Sequence, residues 1–82
     1  MSTMSAERFG QICDEVWRDR AAVLSRCSIS SGEQALVRAV YWRISKAGGK
    51  PEQSLNDYAP LLEELLQHYR DEAVPAVQAS NR

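Results

Sequence analysis

The sequence predicts an all-α protein, a small antiparallel bundle of three helices, and three observations lead there. Apolar residues recur at three- and four-residue steps in three segments, about 5–27, 32–47 and 56–74. Clusters of serine, glycine and proline separate these segments, at CSISSG and at AGGKPEQS. No stretch alternates apolar and polar residues in the way a half-buried strand does. Eighty-two residues can close only one core, so residues 1–75 are expected to form a single domain and 76–82 a disordered tail.

The first helix places Phe9, Ile12, Cys13, Val16, Trp17, Val23, Leu24 and Cys27 on one face, with Gln11, Asp14, Glu15, Arg18, Ser25 and Arg26 opposite. Arg20 falls near the centre of the apolar face, where a buried cation needs a partner. In an up-down-up bundle the first and third helices run parallel, which puts Arg20 level with Tyr69 and within reach of Glu72; a contact with Glu72, Glu33 or the Tyr69 hydroxyl, or snorkelling of its head to solvent, is expected. Cys13 and Cys27 lie about 21 Å apart along the helix axis, too far for an internal disulfide, and are expected as small core residues.

Ser30-Ser31-Gly32-Glu33 matches a capping box and opens the second helix, whose stripe is Leu36, Val37, Val40, Tyr41 and Ile44. Gly48-Gly49 suits a left-handed cap at its end, and Lys50-Pro51 prevents simple continuation. The third helix carries the strongest stripe, Tyr58, Leu61, Leu62, Leu65, Leu66 and Tyr69. Pro60 fits it in two ways: within a first turn that begins near Asn56, or as the start of a new helix after a short one over 52–59. An end near Ala73 is expected before Pro75.

Charge narrows the classes of function. Ten basic residues against eleven acidic leave a net charge of −1, without the broad positive field of non-specific nucleic-acid binding. Residues 1–50 hold eight Lys/Arg and five Asp/Glu, residues 51–82 two and six, so the halves should attract one another. The longest apolar run is Ala39-Val40-Tyr41-Trp42, far short of a membrane span, and the N-terminus has no secretory apolar core. A cytoplasmic protein is expected.

Around the second helix, Tyr41 and Trp42 diverge by ~100° and cannot share one buried stripe. Trp42 points away from that stripe and joins Ala35, Arg38, Ala39 and Lys46 on a second face, which is either shielded by the first helix or the 48–55 linker or open to a partner. Small residues beside a large aromatic and two cations are expected to bind a partner, another protein or a second copy of the chain. The alternative is a helix-turn-helix-like protein that presents the same basic face to nucleic acid, with Trp42 stacking on a base. Enzymatic chemistry is not expected. Cys13, Cys27 and His68 lack metal-ligand spacing, adjacent carboxylates such as Glu63-Glu64 diverge on a helix, and AGGKPEQS lacks the frame of a phosphate loop, so neither cofactor nor metal is expected.

Overall fold

The computed structural model describes residues 4–80, with side chains for residues 4–72. The described chain is all-α: α1 (Ala6–Arg18), α2 (Arg20–Leu24), a 3-10 turn (Ile29–Ser31), α3 (Gly32–Lys46), α4 (Pro51–Asp57) and α5 (Ala59–Ser80). The first predicted rod is thus divided in two, and the third is preceded by a separate short helix, the second of the two placements of Pro60.

The first division lies at Asp19, whose backbone (φ −91°, ψ 11°) leaves the helical region. The hydrogen-bond ladder continues on both sides, from the Asp19 N–H to the Glu15 carbonyl and from the Val23 N–H to the Asp19 carbonyl. The junction is a bend and not a gap. Aspartate is a poor helix former, and here its carboxylate reaches across to Arg43 on α3. The second division follows from Pro60, which has no N–H and whose ring collides with the carbonyl of residue 56 in a continuous helix. The chain therefore turns at Tyr58 and α5 restarts with Pro60 in its first turn.

Phe9, Ile12 and Val16 of α1 interlock with Leu36, Val40 and Ile44 of α3, all essentially fully buried, and Leu65, Leu66 and Tyr69 of α5 close the third side. Tyr58 packs its ring on Phe9 at 5.2 Å and donates its hydroxyl to the Met4 carbonyl, tying the start of α1 to the start of α5. Glu33 at the start of α3 pairs with Arg70 midway along α5. The end of α3 is closed as the glycines predict. Gly48 adopts φ +83°, its N–H bonds the Ser45 carbonyl, and the Gly49 N–H returns to Ile44, a Schellman cap.

Four local expectations are corrected. Cys27 is exposed, because the helix stops at Leu24 and residues 25–27 lie in the turn that follows. The capping box does not form: the Ser31 side chain makes no cap bond, and Glu33 turns instead to Arg70. Tyr41 sits outside the buried stripe at 38% exposure, because Leu36, Val40 and Ile44, each four residues from the next, centre the stripe away from it. The backbone of α5 runs through Pro75 to Ser80, where an end near Ala73 was expected; an interior proline removes one ladder bond and leaves the next ones available. The tail expected over 76–82 lies outside the described side chains, and its last two residues outside the described backbone.

Gly32 is required by packing. A Cβ there would overlap the hydroxyl and ring of Tyr69, whose hydroxyl donates to the Ile29 carbonyl at 2.9 Å. Gly32→Ala should cost about 1–3 kcal/mol in urea unfolding through overpacking. Combined with Tyr69→Ala it should add little further, because the ring it meets is gone.

Candidate functional site

The rotation of α3 about its axis is set by Leu36, Val40 and Ile44, each four residues from the next and all buried, and it turns Trp42 outward. The indole is 63% exposed, more than any other large apolar side chain among the described residues. Arg38 and Lys46, one turn before and one turn after it, are both exposed. Ala35 and Ala39 are half-buried, and Ala39 packs against the core, so the open ground is narrower than the sequence spacing suggests. Of the five residues predicted for the partner face, Arg38, Trp42 and Lys46 come together at the surface.

The charge around this face is one-sided. From Gln34 to Pro51 the chain contains no acidic residue and four cations, Arg38, Arg43, Lys46 and Lys50. Arg43 is engaged inside the molecule, Nη2 at 2.7 Å from Asp19 and Nη1 at 3.4 Å from Glu15. Arg38, Lys46 and Lys50 form no ion pair among the described residues.

Arg20, predicted as a buried charge, is half-exposed, since the bend at Asp19 and the short α2 leave its head at the surface. Its stem still crosses the apolar stripe, and its guanidinium lies over the Trp17 ring, 4.4 Å from the centroid. From there Nη1 donates to the Trp17 carbonyl at 2.9 Å and Nε meets Glu72 at 3.3 Å. Of the partners expected for Arg20, the contact made is with Glu72, and its head also reaches solvent.

A concave region, not legible from either helix alone, lies on another side of the molecule. Between α1 and α5 lies a cleft of about 210 Å³ lined by Cys13, Asp14, Trp17, Leu61, Glu64 and His68, with Gly10 in its wall. His68 rests against Trp17, the rings 5.9 Å apart. The spacing of Gly10, Asp14 and Trp17 on α1, and of Leu61, Glu64 and His68 on α5, puts each set on one face, a signal that emerges only once the two helices are paired. Cys13 is 7% exposed, and burial, with Asp14 and then Glu64, pushes its thiol from the ordinary 9.0 up to about 11. It stays protonated at neutral pH and is a poor nucleophile. Among the described residues no three His, Cys, Asp or Glu side chains come together as metal ligands, and no helix is long and apolar enough to cross a membrane.

No protein-family model, curated protein or solved structure matches the chain.

Two outcomes follow from these environments. Because the neutral thiol of Cys13 is favoured in the fold, its contribution to stability is complete below pH 9.0 and fades as the pH climbs towards about 11. The melting temperature should fall across that window, and less steeply in Cys13→Ala. Arg20→Met should unfold within about 1 kcal/mol of the wild type in urea, since the pair it removes is half-exposed and the thioether can keep the contact with Trp17.

Proposed function

We propose that this protein is a small non-enzymatic module that binds another polypeptide through the outer face of α3, with Trp42 as the anchor and Arg38 and Lys46 at its margin. The observation that carries the proposal is the indole, 63% exposed on a helix whose opposite side fills the core. Trp and Arg are the side chains most enriched at the energetic centres of protein interfaces, where a rigid aromatic gives a large contact area at small entropic cost. The exposed cations add orientation and speed of encounter more than affinity.

Nucleic acid is the second reading, and the acid-free run from Gln34 to Pro51 favours it. The acidic surface weighs against it, since Glu52, Asp57, Glu64 and Asp71 are exposed and face no partner cation among the described residues. A polyanion approaching a molecule of net charge −1 meets little long-range attraction.

Trp42→Ala should leave the unfolding midpoint within about 0.5 kcal/mol of the wild type, as expected for a side chain outside the core. A photoreactive benzoylphenylalanine in place of Trp42, irradiated in cells that express the protein, should form protease-sensitive adducts. These should weaken when Arg38 and Lys46 are both changed to alanine, and should be missing when the same probe replaces the exposed Gln53. Nuclease-sensitive adducts, or none at all, would overturn the proposal.

A further inference from the structure

The exposed indole on α3 is flanked by two exposed cations, and the cleft between α1 and α5 is lined in part by two exposed carboxylates. We infer that Trp42 of one copy of this chain docks in the α1–α5 cleft of a second copy, with its Arg38 and Lys46 against Asp14 and Glu64 at the rim. This rests on the proposal that Trp42 is a docking residue, and it names the occupant.

Three observations on the receiving side support it. The cleft, about 210 Å³, has an apolar and aromatic lining in Trp17, Leu61 and Cys13, suited to an indole, beneath the two carboxylates. Asp14 and Glu64 are exposed and form no ion pair among the described residues, so their field is open to an incoming cation. The same field contributes to holding the Cys13 thiol protonated. The third is Gly10, in the interior of α1, where glycine costs about 1 kcal/mol relative to alanine. A Cβ there would meet nothing within 4 Å and no positive φ requires the glycine, so neither sterics nor backbone conformation accounts for it. Its effect is to widen the cleft.

On the donor side, the cations flanking Trp42 stand about 6 Å before and after it along the helix axis. They supply the charge the rim lacks, and the near-zero net charge of the chain opposes association only weakly. Burying an apolar side chain on a second copy also suits a domain of this size, which hides only about 60% of its unfolded surface by itself.

In the three-sided bundle the α1–α5 seam lies opposite α3, so knob and hole are on opposite sides of one molecule. The contact is therefore heterologous: it repeats head to tail and does not close as a two-fold dimer.

Light scattering on the purified full chain, from micromolar to about millimolar concentration in low salt, tests this. The wild type should grow in mass with concentration and shrink back as salt screens the rim. Trp42→Ala removes the knob, and Gly10→Leu fills the hole while favouring the helix it sits in. Each variant alone should remain a monomer, Trp42→Ala with an unchanged melting temperature and Gly10→Leu with one no lower than the wild type's. Mixed in equal amounts they should form a species of twice the monomer mass and stop there, because one intact knob meets one intact hole. A wild type that stays monomeric, growth that survives in Gly10→Leu, or a mixture that does not pair would overturn the inference. Photo-adducts to a different polypeptide would then leave the Trp42 docking proposal standing, whereas nuclease-sensitive or missing adducts would remove both.

Discussion

Leu36, Val40 and Ile44 form the seam on which the molecule depends. Spaced four residues apart, they drift by only ~40° per step around the axis, so α3 buries a narrow strip between α1 and α5 and cannot roll without exposing one of the three. The strip decides what else α3 presents. Val37 is half-buried beside it, Arg43 is aimed at α1, and Trp42 is turned to solvent. The prominence of the indole is thus a product of how the core packs, because no rotation of α3 buries Trp42 and keeps all three aliphatic residues inside.

Around this apolar seam the helices are tied by three arginines, each bridging elements distant in sequence. Arg20 links α2 to α5 through Glu72, Arg43 links α3 to α1 through Glu15 and Asp19, and Arg70 links α5 to α3 through Glu33 while also holding Glu63. All are half-exposed, where an ion pair is worth about 0–1 kcal/mol, so their service lies in register and orientation more than in stability. Tyr69 adds a different kind of tie. Its hydroxyl reaches the Ile29 carbonyl and its ring covers Gly32, so the 3-10 turn and the first turn of α3 are held by a side chain of α5. The attraction expected between the basic and acidic halves is realised in part by Arg20 and Glu72.

Helical periodicity made the all-α class and most of the core legible. Phe9, Ile12, Val16, Leu36, Val40, Ile44, Leu65 and Leu66 all lie where a 3.6-residue period puts them. The breaks were harder to place. The bend at Asp19 depends on a cation contributed by another helix, and the choice at Pro60 turned on two placements of similar local merit. Cys27 was misplaced for a related reason: periodicity extends a stripe for as long as apolar residues recur and carries no signal of where the chain turns away. The outward direction of Trp42 could be read because it follows from one helix's geometry alone. The α1–α5 cleft could not, since its halves are separated by some fifty residues and become a cavity only when the pairing is known.

The fork of Arg43 grips one carboxylate on α1 and another at the bend that follows it, with its two nitrogens on two different turns. The angle between the opening helical segments is thereby dictated from across the bundle, as a splint sets a joint. Lysine, a single point charge on a flexible stem, would hold one carboxylate or the other but not both at their separate distances. The elbow would then be free to straighten, and the chain downstream of it, including Ile29 and the carbonyl that Tyr69 grasps, would shift with it. An arginine of α3 thus governs, through two carboxylates, the alignment of the chain that follows the bend.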